Sequence, residues 1–118
     1  MEKTIVIDGK QVRFKSTGAI PMRYKAQFGR DFYSDLVSIV GKVDMKKASN
    51  EGIDASDIDI SKINFEIFFN IAWTFAKTAD PSIPAPLEWL DTFEEFPIFE
   101  ILPELNDMLT ATISTKKK

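Results

Sequence analysis

Four carboxylates close together in the sequence, Glu88, Asp91, Glu94 and Glu95, are the first group that could do chemistry. A pair of carboxylates can act as general acid and general base when one is desolvated and the other is not. Nothing in the surrounding sequence predicts such a difference, and acidic residues in and just after a short helix usually form a solvated face. We therefore expect no catalytic pair here.

A second acidic group, Asp54, Asp57 and Asp59, has the residue type that binds calcium. If Asp57 were the first position of an EF-hand loop, Lys62 would stand where the turn needs glycine. Phe68 would then stand where the loop needs a bidentate glutamate. The calcium hypothesis therefore fails, and a solvated acidic loop is expected.

The sequence has no histidine and no cysteine. These are the commonest general base, the commonest metal ligand and the thiolate nucleophile. Gly9-Lys10 and Gly41-Lys42 lack the earlier glycine and the following Ser or Thr of a phosphate-binding loop. We therefore expect no catalytic residues, no metal site and no cofactor, and hence no enzyme.

The charge of the chain also limits its partners. A formal charge of −3 and a pI near 5.0 disfavour nucleic-acid binding, which needs a basic surface. Residues 1–47 carry ten Lys or Arg against five Asp or Glu, whereas residues 48–115 carry two against thirteen. The two halves could neutralise each other within one molecule, or meet between subunits of a head-to-tail assembly.

Length and hydropathy predict one folded domain in the cytosol. The chain has 118 residues, of which 44% are hydrophobic, the balance of a globular protein. No apolar run reaches the roughly 18 residues that suggest a membrane span, and the apolar stretch at the start is too short for a signal peptide. No membrane association is expected.

Alternating residues at the start predict a β-hairpin over residues 3–15, because Asp8-Gly9 is a strong turn signal between two strand-like runs. Pro21 then favours a short helix over residues 22–28 that Gly29 ends. Asp31 can cap a longer amphipathic helix extending to about residue 47.

Residues 48–62 have no periodicity and predict an exposed loop. The helix predicted at 64–78 is apolar around most of its circumference, which means either central burial or an outer side that meets a partner. Central burial is the favoured interpretation.

Pro86 can begin a helix over residues 87–93, and a last helix should run from Ile98 to Ile113. Pro103 should kink or split that last helix. Residues 114–118 form a basic tail that we expect to be disordered. The predicted fold is thus α+β and mainly helical, one domain over residues 1–113 with a hairpin followed by four to five helices.

Two segments resemble the tail assembly chaperones of long-tailed phages and prophages of Gram-positive bacteria. Residues 7–31 include Arg-Tyr-Lys-Ala-Gln-Phe-Gly-Arg-Asp at 23–31. Residues 76–104 include Trp-Leu-Asp-Thr-Phe-Glu-Glu-Phe-Pro at 89–97, and the Ala72-Trp73-Thr74 helix fits between the two segments. The acidic stretch at 48–62 has no counterpart in this resemblance.

The resemblance implies a protein that binds the phage tape measure protein, keeps it soluble and helps recruit tail tube subunits in the host cytoplasm. Such a protein is absent from the mature virion. It also implies a family whose genes often use ribosomal slippage near the end of this chain to make a longer product; the equal alternative is a solubilising basic tail with no further role. The alternatives are a small structural tail component, such as a connector or tube protein, and a phage regulator that binds a host protein.

The family has no catalytic residues, so candidate partner-binding residues are chosen by chemistry within the two matched segments. Tyr, Trp and Arg are favoured anchors of protein interfaces, although the aromatic residues could instead pack in the core. The candidates are Arg23, Tyr24, Gln27, Arg30, Trp89, Phe93, Phe96 and Phe99.

Overall fold

The computed structural model describes residues 1–40 and 64–113. These residues form a two-stranded antiparallel sheet and five helices, so the predicted α+β, mainly helical fold is confirmed. The elements are β1 (Glu2–Ile7), β2 (Lys10–Lys15), α1 (Ile20–Phe28), α2 (Phe32–Val40), α3 (Phe65–Ala79), α4 (Pro86–Asp91) and α5 (Ile98–Ile113). The predicted loop at 48–62 and the tail at 114–118 lie outside the described residues.

The hairpin forms where the sequence predicts it. Asp8 and Gly9 have φ values of 54° and 75°, which a type I′ turn requires at both central positions. Ile7 and Phe14 are fully buried on the face toward the helices. The turn is also attached to the segment after α4, because the Asp8 carboxylate accepts a hydrogen bond of 2.9 Å from the Glu94 N–H.

Local signals set the limits of α1 and the start of α2. Pro21 lies in the first turn of α1, and Gly29 ends that helix with a left-handed φ of 71°. The Asp31 carboxylate accepts the Ser34 N–H at 2.8 Å, so the predicted cap of α2 is confirmed. Residues 41–47, to which α2 was predicted to extend, lie outside the described part of the chain.

Helix α3 is the centre of the fold, as predicted, and it contacts β2, α1, α2 and α4. The Asn64 side chain caps its start by accepting the N–H groups of Glu66 and Ile67 at 3.0 and 3.4 Å. Burying one large apolar side chain contributes about 1.5–3 kcal/mol, so this helix is the main source of core burial. Its buried residues are Ile67, Phe68, Ile71, Ala72, Trp73, Thr74, Phe75 and Ala76.

The last helix runs through Pro103 as one element, so the split, one of the two predicted outcomes, does not occur. A proline inside a helix costs about 3 kcal/mol. Five buried side chains on one face of α5 offset that cost, since each contributes about 1.5–3 kcal/mol. They are Ile101, Leu102, Leu105, Met108 and Leu109.

Helix α4 is also shorter than predicted, since it ends at Asp91 rather than at residue 93. Within residues 1–40 and 64–113, none of the helices has both the length and the apolar character that crossing a membrane requires.

Candidate protein-binding groove

A buried carboxylate joins α1 to α2 and engages two of the predicted contact residues. The Tyr24 hydroxyl donates to Asp35 Oδ2 at 2.6 Å. Arg30 donates from Nε to Oδ2 at 2.7 Å and from Nη2 to Oδ1 at 2.8 Å. This bidentate geometry is the strong form of an arginine–carboxylate pair.

The same contacts shift the pKa of each acidic group. The hydrogen bond from Arg30 is the main reason that the pKa of the Asp35 carboxyl lies below its ordinary value, and burial acts against it. Burial, followed by the hydrogen bond to Asp35, raises the pKa of the Tyr24 hydroxyl. Both shifts keep Asp35 ionised and Tyr24 protonated at neutral pH, so the cluster is a fixed link rather than a proton-transfer pair.

Beside this link, the outer face of α1 and the C-terminal half of α3 form an open groove of about 430 Å³, which we call the α1–α3 groove. Met22 is 77% exposed on its rim. Two alanines on α1 leave room for the backbone of a partner to approach closely. The groove is lined by Ala19, Met22, Arg23, Ala26, Gln27, Trp73 and Lys77.

The α3 side of the groove is held rigidly by the proline-rich connection that follows it. Trp73 Nε1 donates to the Pro84 carbonyl at 2.8 Å. Lys77 Nζ donates to the carbonyls of Pro81 and Ile83 at 2.6 and 2.8 Å and lies 5.9 Å from the Trp73 ring centre. A preformed wall of this kind lowers the ordering cost of binding.

The α1 side of the groove contains the polar groups. Gln27 is exposed, and Arg23 is half-buried. Among the described residues, the buried Nε of Arg23 has no hydrogen-bond partner. The Arg23 guanidinium therefore lies partly inside the α1 wall of the groove.

The four aromatic candidates of the second matched segment lie apart from the groove, between α3, α4 and the start of α5. Trp89 lies edge-on against Phe93 and Phe96, with ring centres 5.3 and 5.6 Å apart. Phe96 also contacts Phe69 of α3 at 5.7 Å. Phe99 is 38% exposed and lies 6.0 Å from the ring of Phe65.

The structure therefore divides the predicted contact residues. Tyr24, Trp89 and Phe93 are buried and pack in the core, because removing a large aromatic ring from water is favourable. Arg30 stays exposed but is paired with Asp35. Arg23 and Gln27 are the candidates that the fold brings together in a groove.

Three further residues matter that the sequence did not single out. Asp35 follows Phe32 by three positions and lies on the buried stripe of α2. A charged residue on an apolar stripe is the sequence pattern that indicates a buried ion pair. Met22 and Lys77 line the groove from helices far apart in the sequence. No local pattern predicts that meeting.

A second cleft, of about 320 Å³, lies between β2 and the region of α4, with Lys10, Arg13 and Asp80 among its lining residues. Lys10 Nζ donates to the Thr92 carbonyl, and Arg13 Nη2 donates to the Ala79 carbonyl at 2.7 Å. These cations thus bind the protein's own backbone. Hydrogen bonds from Ser82 lower the pKa of the Asp80 carboxyl.

The acidic residues do not assemble into a metal site in the part of the chain that the structure describes. There, His, Cys, Asp and Glu form no group of three or more that could hold a metal ion. Asp54, Asp57 and Asp59 lie outside the described residues.

The geometry therefore offers a groove with apolar and polar sides. Among known proteins, no family model, no curated protein and no solved structure matches this chain.

Proposed function

We propose that this chain is a non-catalytic tail assembly chaperone of a long-tailed phage, and that its partner is the tape measure protein. The α1–α3 groove is the observation that carries the proposal. It places Arg23 and Gln27, from the segment with the family resemblance, beside exposed Met22 and rigid Trp73. The family resemblance suggests which partner binds, and the groove is the site that we propose for it.

The lining of the groove suits an amphipathic helix. Met22 is a flexible apolar contact that adapts to different side chains, and Ala19 and Ala26 let a helix backbone come close. Arg23 and Gln27 can bind carboxylate or amide groups on the polar flank of that helix. The resemblance implies a tape measure protein that is long, largely helical and partly apolar, which matches this lining.

Binding in the groove would act as chaperoning in two ways. It would cover an apolar stripe of the tape measure protein that otherwise promotes aggregation. It would also add acidic charge to the complex, because residues 48–115 carry thirteen Asp or Glu against two Lys or Arg. Recruitment of tail tube subunits in the host cytoplasm, and absence from the mature virion, belong to the same proposal.

Co-expression of the tagged chain with the tape measure protein of the same phage tests the proposal. The wild-type chain should raise the soluble fraction of the tape measure protein and retain it on an affinity column. Met22→Glu puts a charge on the apolar rim of the groove. Losing the Met22 side chain that the tape measure protein would bury should weaken binding by about ten- to a hundredfold. Leu87→Glu is the matched control, because Leu87 is 73% exposed on α4 and does not line the groove.

Retention of the tape measure protein by Leu87→Glu but not by Met22→Glu would support the groove. Equal retention by both variants would contradict the groove. Failure of the wild-type chain to retain the tape measure protein would contradict the proposed function itself. Recovery of the chain in purified virions would favour a structural tail component, and capture of a host protein alone would favour a regulator.

A further inference from the structure

The hydrogen bonds at the open end of the hairpin determine which backbone groups of β1 point outward. Ser16 N–H donates to the Met1 carbonyl at 2.9 Å, and the Met1 amino group donates to the Ser16 carbonyl at 3.3 Å. Met1 and Ser16 are therefore a hydrogen-bonded pair. Since such pairs alternate along an antiparallel ladder, Lys3, Ile5 and Ile7 also bond to β2.

The backbone groups of Thr4 and Val6 consequently face away from β2, at the outer edge of β1. Within residues 1–40 and 64–113, no backbone group forms a hydrogen bond with either of them. An edge of this kind offers N–H and C=O groups to another extended chain.

The two edges of the hairpin differ in how they are protected. Proteins commonly protect an edge strand with charged side chains, especially lysine. β2 carries Lys10, Arg13 and Lys15 along its length, whereas the charged residues of β1, Glu2 and Lys3, lie at its start and the run Thr4-Ile5-Val6-Ile7 has none. The β1 edge is thus the one that is chemically open to strand pairing.

A groove of about 300 Å³ follows this open edge, between β1 and the start of α5. Its floor includes the buried side chains of Ile5 and Ile101. Val6 is 66% exposed beside it. Ile5 and Ile101 leave little surface exposed in the groove, whereas Val6 points to the opposite face of β1 and is the exposed apolar side chain next to the unpaired backbone groups.

The far wall of the same groove is acidic. Glu100 and Glu104 are exposed side chains on consecutive turns of α5 and line the groove. Lys3 lies 3.7 Å from Glu104, and among the described residues Glu100 has no ion pair. The wall therefore carries more negative than positive charge and favours basic side chains in a bound segment.

We propose that the outer edge of β1 binds an extended segment of a partner protein by strand addition, and that this segment alternates apolar with basic residues. Its backbone pairs with Thr4 and Val6. Its basic side chains point toward α5 and meet Glu100 and Glu104, and its apolar side chains point to the opposite face and pack beside exposed Val6. This site shares no lining residue with the α1–α3 groove and does not depend on the proposed function.

Amide hydrogen exchange on the isolated chain is the first test. The amides of Ile5 and Ile7 should exchange slowly because they bond to β2, and those of Thr4 and Val6 should exchange quickly. Protection of Thr4 and Val6 in the isolated monomer would overturn the proposal, because another part of this chain would then occupy the edge. Concentration-dependent protection would overturn it too, in favour of a second copy.

The second test uses a labelled, end-capped peptide, Gly-Val-Lys-Ile-Lys-Val-Thr, and measures its binding by fluorescence anisotropy. Binding should protect the amides of Thr4 and Val6. A peptide with Glu in place of both Lys residues should bind at least about tenfold more weakly. No binding of the lysine peptide, or equal binding of both peptides, would overturn the proposal.

Matched variants localise the peptide. Thr4→Pro removes an outward N–H from β1, and Gln11→Pro removes one from the outer edge of β2. We expect about a tenfold or greater loss of binding for Thr4→Pro and little change for Gln11→Pro. Equal loss in both variants would place the peptide elsewhere and overturn the proposal.

A charge variant tests the site without altering the backbone. Glu100→Lys combined with Glu104→Lys should weaken binding of the lysine peptide, whereas Glu88→Lys combined with Glu95→Lys should leave it unchanged. The Met22→Glu variant should still bind the peptide, and Thr4→Pro should still retain the tape measure protein. Failure of strand addition is therefore distinguishable from failure of the groove.

Discussion

Replacing Asp35 by Asn tests whether the buried carboxylate holds α1 and α2 together. The substitution keeps the shape of the side chain but removes its charge. It also replaces one carboxylate oxygen by an NH₂ group, which cannot accept the hydrogen bonds that Tyr24 and Arg30 donate. Hydrogen bonds to a charged group contribute about 1.5–3 kcal/mol each, and breaking a buried ion pair costs about 3–5 kcal/mol. Arg30 is 55% exposed at its side chain, so water can replace part of its contact.

We therefore expect Asp35→Asn to lower the free energy of unfolding by about 2–3 kcal/mol at pH 7. This loss comes from the weakened hydrogen bond of Tyr24 and from the part of the Arg30 ion pair that water does not replace. The effect should depend on pH. The pKa of Asp35 is lowered in the folded state, so its ionisation stabilises the fold above the unfolded carboxyl pKa of about 3.9. That contribution is lost as the pH falls below this value and through the folded pKa.

Urea denaturation of the wild type and the variant at pH 7 and at about pH 3 measures both effects. The difference between the two proteins should shrink at the lower pH, where the wild-type carboxyl begins to protonate. Asp31→Asn is the matched control, because Asn caps a helix about as well as Asp and should cost less than about 0.5 kcal/mol. A pH-independent difference, or an equal loss in the control, would refute the reasoning.

Three further substitutions test the core and the helix ends. Phe75→Ala, at a fully buried position in the centre of α3, should cost about 3–5 kcal/mol in urea denaturation, and a loss below about 1 kcal/mol would contradict central burial. Asn64→Ala removes the side-chain cap of α3 and should cost about 1 kcal/mol, whereas Asn64→Asp should retain most of the stability. Gly29→Ala should lower the melting temperature because Ala is strained at a φ of 71°, although the site has open space for its Cβ; an unchanged temperature would refute the strain argument.

The sequence predicted those parts of the fold that depend on local chemistry. Asp8-Gly9 specifies its hairpin because both residues tolerate positive φ, and Pro21 and Gly29 limit α1 for equally local reasons. The apolar character of residues 65–76 predicted a central helix because no solvated surface could accommodate it. Each of these signals lies within a few residues of the feature that it determines.

The parts that could not be predicted depend on distance in three dimensions. Lys77 and Met22 meet because α1 packs on α3, and neither residue has a neighbour in the sequence that indicates it. The continuity of α5 through Pro103 depends on how deeply its apolar face is buried, which is set by the packing of the whole domain. For the same reason, the sequence alone does not decide whether Tyr24, Trp89 and Phe93 are buried.

The packing of the hairpin on α3 and α5 has a consequence for folding during synthesis. The hairpin leaves the ribosome before the helices that cover its apolar face, which are made about 50 to 100 residues later. Contacts of such long sequence separation form late, because loop closure must occur before they become favourable. Phe14 on β2 can be covered once α3 has emerged, whereas Ile5 and Ile7 on β1 wait for α5. Shortening the chain before Leu105 would therefore leave the hairpin without its full cover.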